Sequence, residues 1–280
     1  MPPLSRVDLH LHSTISDGTW TPEQLVAEAQ QLGMLAIAIT DHDHTAGIET
    51  ARQAASAAGI ELIPGVEINT DHLGADVHIL GYYIDFTNEL LNRELARVRE
   101  ARLERNRHIL ERLEALGFTV EEERVMALAG EGTVGRPHIA AALVEAGYVN
   151  GQAEAFERLL ARGRPAYVER YQLLPAQAIA FIKQAGGLAV LAHPAKIHND
   201  QLIPALAADG LHGIEAFHFD HTSAMARHYV ALAEQLGLLI TGGTDSHGPE
   251  SDRPVAMGSV PVPEEVVSRL QQAWQKEYHR

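Results

Sequence analysis

Nine side chains have the types and the spacing to hold metal ions: His10, His12, Asp17, His42, Glu67, His78, His193, Asp245 and His247. They lie in the stretches Asp8-Leu9-His10-Leu11-His12, Ser16-Asp17-Gly18, Thr40-Asp41-His42-Asp43, Gly65-Val66-Glu67, Asp76-Val77-His78, Ala192-His193-Pro194 and Thr244-Asp245-Ser246-His247. Neutral imidazoles and ionised carboxylates are the donors that borderline divalent metals take. The chain has no cysteine. A site must therefore be built from nitrogen and oxygen, which argues against a thiolate zinc site and favours manganese, iron, zinc or magnesium. A cluster of such ions turns water into a nucleophile at neutral pH and clamps a reacting phosphoryl or acyl oxygen. A lone histidine at a strand end is usually a hydrogen-bonded structural residue, and an Asp before Gly is usually a turn residue. It is the whole set, in this order along the chain, that reads as a three-metal site.

The elements that must position these groups follow from hydrophobic runs and caps. Strands are expected over 6–10, 35–39, 60–68, 76–84, 187–191, 213–217 and 238–241. A helix opens at Thr21-Pro22-Glu23, with Thr as N-cap and Pro at the first helical position, and stops at Gly33. Further helices are expected over 46–58, 175–184, 202–208, 222–236 and 264–275. Strand and helix alternate with short loops, which predicts βαβ units and a mostly parallel sheet. Residues 88–116 break this pattern as a long charged helix, and shorter helical stretches follow over 121–129, 137–145 and 152–160. The expected organisation is α/β: an irregular β/α barrel from 1–86 and 163–280, with a helical insertion over 87–162 covering the active site. Alternate side chains of a strand share a face, so His10 and His12 can grip one metal. His42, Glu67, His193 and Asp245 fall at or just past strand C-termini, the rim where a β/α barrel gathers its catalytic groups.

Other residues have weaker claims. His218 ends the strand containing Glu215-Ala216-Phe217 and could face the site. Asp8, Asp41, Asp43 and Asp76 adjoin ligand histidines; they either orient imidazoles or serve as turn and salt-bridge residues. Arg136, before Pro137 and His138, could hold an anion with the help of a helix N-terminus, or be a surface arginine. Lys196 and Arg164 are further candidates for an anion. The formal net charge of −15 at pH 7 argues against an extended nucleic-acid surface, which needs a basic footprint, though a local basic pocket for a small anion is compatible with it. No apolar run approaches the ~18 residues of a membrane span, and no signal-peptide layout precedes the first strand. The expectation is a soluble, cytoplasmic protein of undetermined oligomeric state.

The motifs Asp-Leu-His-Leu-His-Ser, Ser-Asp-Gly, Thr-Asp-His-Asp, Gly-Val-Glu, Val-His-Ile-Leu-Gly-Tyr, Ala-His-Pro and Gly-Thr-Asp-Ser-His resemble the PHP (polymerase and histidinol phosphatase) family of metal-dependent phosphoesterases. The resemblance runs from Val7 to about Gly258. It implies a distorted (β/α)7 barrel of the amidohydrolase-like group. By the family pattern one metal takes His10, His12, Glu67 and Asp245. A second takes Glu67, His78 and His193, with Glu67 bridging, and a third takes Asp17, His42 and His247. The insertion with Arg136-Pro137-His138 is similar to a branch that removes the 3′-phosphate of nucleoside 3′,5′-bisphosphates and trims short 5′-phosphorylated RNA or DNA from the 5′ end.

The resemblance thus implies a phosphoesterase with three divalent ions, manganese foremost and iron or zinc as alternatives. A metal-bridging hydroxide held by Glu67 is the expected nucleophile. Arg136, His138 and His218 are the expected phosphate-binding residues, and His218 or a metal-bound water the expected leaving-group acid. Histidinol-phosphate phosphatase is the alternative enzyme. A non-catalytic metal- or nucleotide-binding module is the alternative of another class.

Overall fold

Seven short apolar runs become seven strands: β1 (Val7–Leu11), β2 (Ala36–Ile39), β3 (Glu61–His72), β4 (Ala75–Tyr82), β5 (Leu188–Leu191), β6 (Gly213–His218) and β7 (Leu239–Gly243). The structure, a computed structural model, describes residues 5–129, 134–169, 171, 173–251 and 254–279. The helices are α1 (Pro22–Gln31), α2 (Ile48–Ala58), α3 (Glu89–Ala115), α4 (Glu122–Ala129), α5 (Arg136–Glu145), α6 (Gln152–Ala155), α7 (Pro175–Gln184), α8 (Leu202–Ala208), α9 (Ser223–Leu236) and α10 (Glu265–Tyr278). Local chemistry sets their ends. Thr21 closes a capping box with Gln24 at the start of α1, which satisfies two backbone donors that the first helical turn leaves open. Gly59 ends α2 in the left-handed conformation.

The chain divides into two units, Met1–Leu95 with Leu173–Arg280, and Ala96–Gln172. In the first, the strands lie in sequence order in one sheet. The pairs β1–β2, β2–β3, β5–β6 and β6–β7 are parallel, and β4 runs antiparallel to both neighbours. The reversal comes from a tight turn. Leu73 and Gly74 both have positive φ, 53° and 87°, the signature of a two-residue hairpin whose twist matches its strands. The Asp71 carboxylate accepts the Gly74 N–H at 2.7 Å. Residues 69–75, outside the expected strands, are therefore mostly strand, and β3 extends to His72.

The sheet curls until β1 meets β7, giving a nearly closed seven-stranded barrel. The seam is a parallel bridge between Leu11 and Ser246, with the His12 N–H donating to the Ser246 carbonyl at 3.0 Å. The buried Asp8 carboxylate straps the same seam. It accepts the Thr244 N–H at 2.9 Å, the Thr244 hydroxyl at 2.6 Å and the Gly258 N–H at 3.0 Å. Val7, Leu9, Ala36, Ala38, Ile63, Leu80, Tyr82, Leu188 and Val190 fill one core with Val266 and Leu270 of α10. Leu11, Ile37 and Ile39 pack on Leu25, Val26 and Ala29 of α1 and on Ala51 and Ala55 of α2 in another. Successive strand residues thus serve opposite faces, the period-2 rule.

The second unit has its own core, including Ile109, Leu113, Val125, Ile139, Leu143, Leu159 and Leu160. Among its described residues the regular elements are helices, including one π-helical turn, Phe156–Leu160, joined by turns and irregular segments.

The β1–β7 seam needs a residue without a side chain. A Cβ on Gly243 would lie 2.4 Å from the His10 nitrogen and 2.5 Å from its Cβ. Gly243→Ala must push the two strands apart. The expected cost is about 1–3 kcal/mol, the range for overpacking. A chemical denaturation midpoint equal to that of the unmodified protein would contradict this.

Candidate metal centre

The site is built around one carboxylate. Glu67 is fully buried in β3, and five imidazoles reach it. Its Oε2 lies 3.3 Å from His10 Nε2, 3.3 Å from His12 Nε2 and 3.0 Å from His42 Nδ1. Its Oε1 lies 2.8 Å from His78 Nδ1 and 2.9 Å from His193 Nε2. Asp245 approaches from beyond β7, with Oδ1 3.4 Å from His10 Nε2 and 3.2 Å from His12 Nε2. A third group adjoins: Asp17 Oδ1 is 3.3 Å from His247 Nε2 and 3.7 Å from His12 Nδ1, and Asp17 Oδ2 is 3.8 Å from His42 Nε2.

The fold explains the convergence. His42, His193 and Asp245 follow β2, β5 and β7, and parallel strands deliver their C-termini to one rim. His78 is nearer the start of β4; because β4 is antiparallel, that half lies at the same rim, opposite Asn69 of β3. Glu67 is expected at a strand end, yet it lies inside β3, since the hairpin carries that strand on to His72. The β1–β2 register shifts between Asp8 and Leu11. Such a bulge re-aims side chains, here at His10. His193 and Asp245 have positive φ, 27° and 54°, strained conformations that persist only where the surroundings over-determine them.

Partners behind the rings set their tautomers. His10 Nδ1 faces Glu215 Oε1 at 2.9 Å and must donate to it, so Nε2 presents its lone pair. His247 Nδ1 donates to the Asp245 carbonyl at 2.9 Å, and its Nε2 lone pair faces Asp17. The Ser16 hydroxyl donates to Asp41 at 2.7 Å, so its oxygen is free to accept from His12 Nδ1 at 3.4 Å. Asp41 also accepts the Ser13 N–H and hydroxyl, both at 2.7 Å, which orders the loop bearing Asp17. Asp43 accepts the Asn69 backbone and side-chain N–H groups at 2.9 and 2.8 Å. His218 has the opposite tautomer. Its Nδ1 accepts the Asp220 N–H at 3.1 Å, so Nε2 carries the proton and donates to Asp245 Oδ2 at 3.3 Å.

Four buried atoms in this cluster have no hydrogen-bond partner among the described residues: His10 Nε2, His12 Nε2, Glu67 Oε2 and His193 Nδ1. His10 Nε2 and His12 Nε2 each lie 3.3 Å from Glu67 Oε2 without hydrogen-bond alignment. Buried polar atoms are otherwise almost always paired, and lone pairs turned toward a common point are what a cation requires. Ligand atoms of His10, His12, Glu67 and Asp245 lie within 4.8 Å of one another, and the same holds for His12, Asp17, His42 and His247, and for His42, Glu67 and His78.

Without cations the charges compensate by protonation. Burial works against a charged His12, but Asp245 and Glu67 outweigh it and raise its pKa to about 10. His10 is raised likewise, by Glu215, Asp245 and Glu67 against burial. Burial opposes the Glu215 charge, yet His10 holds it down to about 2. His193 is lowered to about 4, chiefly by burial.

Of the other sequence candidates, Arg136 and His138 belong to the second unit. Arg136 lies over the rings of Phe156 and Tyr167, 5.7 and 5.8 Å from their centroids, and Nη1 donates to the Leu160 carbonyl at 3.3 Å. His138 Nδ1 accepts the Gly135 N–H at 3.0 Å, in a capping role. Asp8 belongs to the barrel seam rather than to a ligand imidazole. Glu215 is the residue the motifs passed over. It accepts both His10 Nδ1–H and the His193 backbone N–H, the latter at 2.8 Å. A lone acid within the apolar strand Gly213–His218 was the available signal.

A barrel with this rim of imidazoles and carboxylates is the scaffold of a metal-dependent hydrolase. The chain belongs to the PHP domain family, matched over residues 8–174, and is accordingly a metal-dependent phosphoesterase. It is 39% identical to the 5′-3′ exoribonuclease Rnm of Escherichia coli, over 86% of this chain and 85% of that one. It is 35% identical to a phosphoribosyl 1,2-cyclic phosphate 1,2-diphosphodiesterase of Eggerthella lenta, over 86% and 94%. It is 33% identical to the 3′,5′-nucleoside bisphosphate phosphatase of Chromobacterium violaceum, over 88% of each. Among solved structures, a chain of Bifidobacterium adolescentis described as a metal-dependent phosphoesterase superposes with a TM-score of 0.83 at 34% identity, over 97% of each chain.

Two outcomes follow from the tautomers and charges. Metal binding at pH 7 must displace the protons that His10 and His12 carry in the metal-free protein. Affinity should therefore rise from pH 7 toward 10, with proton release measurable by calorimetry in buffers of different ionisation enthalpy. The metal-free fold should do the reverse. The His12 contribution is complete below its ordinary value of 6.5 and is lost as pH rises through about 10. Binding with no proton release would contradict the protonation of His10 and His12. The second outcome concerns Glu215→Gln, which keeps the shape but removes the charge behind His10. Metal affinity should fall about 10–100-fold in a chelator competition; an unchanged affinity would mean Glu215 only shapes the strand.

Proposed function

We propose that this chain hydrolyses a terminal phosphate ester of a small nucleotide, foremost the 3′-phosphate of nucleoside 3′,5′-bisphosphates, and trims short 5′-phosphorylated RNA or DNA from the 5′ end. The observation that carries the metal-dependent part is the set of buried polar atoms of His10, His12 and Glu67 that lack a hydrogen-bond partner among the described residues. The substrate class is supported by the activities named for the Escherichia coli and Chromobacterium violaceum relatives. The relatives described above are named for RNA, phosphoribosyl cyclic phosphate and nucleoside bisphosphates rather than for histidinol phosphate, which favours the nucleotide reading over that alternative.

The proposed complement is three divalent ions, with manganese foremost. His10, His12, Glu67 and Asp245 would hold one, Glu67, His78 and His193 a second, and Asp17, His42 and His247 a third. When bound, such ions supply Lewis acidity and activate water at neutral pH. Each remaining contribution belongs to the chain itself. Glu67 ties two of the ligand groups together. Glu215 and Ser16 keep the His10 and His12 lone pairs forward. His218, with its one proton on Nε2, would turn that donor from Asp245 Oδ2 to a phosphoryl or leaving-group oxygen. Arg136 and His138 are proposed, on their sequence context, for a substrate phosphate.

The test is a panel of 3′,5′-bisphosphates, a short 5′-phosphorylated RNA, histidinol phosphate and an aryl phosphate, with elemental analysis of the same sample. About three ions per chain and a preference for the bisphosphate or RNA are expected. Activity with fewer than one ion per chain would overturn the metal reading, and a preference for histidinol phosphate the substrate reading. Glu67→Ala should leave less than about a tenth of kcat, a loss above about 1.4 kcal/mol.

A further inference from the structure

Lys196 adds a positive charge to the edge of the ligand set that the metal reading does not need. Its Nζ lies 3.1 Å from Asp245 Oδ2 and 3.6 Å from Asp220 Oδ2, and 5.7 Å from the centroid of the Phe219 ring. The backbone puts it there. The turn Pro194–Ile197 is a 3₁₀ helix following His193, and the Lys196 N–H donates to the His193 carbonyl at 3.0 Å. The turn begins directly after His193 and so fixes the Lys196 backbone within one turn of that candidate ligand.

The arrangement divides Asp245 into two faces. Oδ1 faces His10 and His12. Oδ2 takes Lys196 and the Nε2–H of His218. An ammonium on the outer oxygen of a ligating carboxylate draws charge away from the inner one and repels a nearby cation. As a device for holding metal, it works in the wrong direction. With the lysine side chain partly exposed to solvent, the pair is partly screened and contributes only modest stability. For an anion delivered to the same edge the sign reverses: Lys196 and His218 are adjacent donors beside Asp245. An ammonium has three donors, of which the two aspartates engage two, and the side chain remains 38% exposed. Phe219 and the two carboxylates hold the head in place, so little freedom is left to lose when an anion arrives.

We propose that Lys196 is a substrate-binding residue whose ammonium, moored by Asp245 and Asp220, grips a non-bridging oxygen of the phosphoryl group presented to the metal centre, next to the N–H of His218. The assignment rests on the phosphoesterase reading and goes beyond its metal ligands. Lysine suits the role as a compact charge that follows a moving oxygen, where arginine would demand planar two-point geometry.

The test uses the metal-loaded protein with inorganic phosphate as the probe. Metal content, phosphate affinity by calorimetry, and KM and kcat on a 3′,5′-bisphosphate are measured for wild type, Lys196→Met and Lys196→Arg. With Lys196→Met, metal content should stay at the wild-type level while phosphate binding weakens at least about tenfold, the order expected for one charge-assisted contact. KM should rise with it. Lys196→Arg should recover part of the phosphate affinity. Phosphate affinity within twofold of wild type in Lys196→Met would overturn the proposal. So would loss of metal in that variant, because Lys196 would then serve Asp245 rather than the substrate. The two readings fail separately. A wild type that binds phosphate through Lys196 but turns over no nucleotide refutes only the nucleotide substrate. A wild type that binds metal but no phosphate refutes the lysine assignment.

Discussion

Everything at the rim depends on burying the Glu67 carboxylate with no solvent exposure. An ion removed from water to this extent costs several kcal/mol unless opposite charge surrounds it. Here the surroundings are five imidazoles, His10, His12, His42, His78 and His193. Those rings satisfy the carboxylate in one of two ways. Either His10 and His12 carry extra protons, favoured by the surrounding carboxylates, or the rings turn lone pairs toward cations shared with Glu67. The same geometry serves both states, so proton and metal compete for one set of atoms. The metal site is thus coupled to pH by construction.

That competition is biased by groups outside the ring of ligands. Glu215 behind His10, Ser16 behind His12 and the Asp245 carbonyl behind His247 each take the proton-bearing nitrogen and leave the other forward. Asp41 holds Ser13 and Ser16, and so fixes the loop that carries Asp17. The contacts of Glu215 and Asp41 are short, buried and between residues 25 or more positions apart, whereas those of Ser16 and the Asp245 carbonyl are local. Each orients one ring, and together they prepare the lone pairs before any ion arrives. His218 is held in the opposite tautomer by the Asp220 N–H, which makes it a donor in a neighbourhood of acceptors. With Lys196 on the same carboxylate oxygen, the outer side of Asp245 is suited to an anion and the inner side to a cation.

Barrel closure is the second constraint. The candidate ligands of β1 and those after β7 meet because Asp8 ties Thr244 and Gly258 across the seam and because Gly243 has no side chain to hold the strands apart. The Leu73-Gly74 turn matters for a related reason. By reversing β4, it brings His78 to the rim shared by the parallel strands, and it extends β3 so that Glu67 sits within a paired strand rather than on a loop. The carboxylate proposed to bridge two ions is thereby held by backbone pairing on both sides.

The sequence by itself determined which residues could bind metal and that strands would carry them to a common rim, because donor chemistry and the alternation of strand and helix are local properties. His10 and His12 were readable as a pair from the period of a strand. The family motifs added the order of the remaining ligands. What only the tertiary structure decided is the direction and protonation of each group. Glu215 had no motif, and its role exists only because β6 lies where His10 needs an acceptor. Asp8 stood beside a ligand histidine in sequence, yet its partners are Thr244 and Gly258, more than 230 positions away. Lys196 was one weak candidate among several until the turn after His193 set it against Asp245. Spacing along a chain records which side chains share a face of one strand. It carries no record of which strand closes against which, and a tautomer or a buried charge depends on that closure.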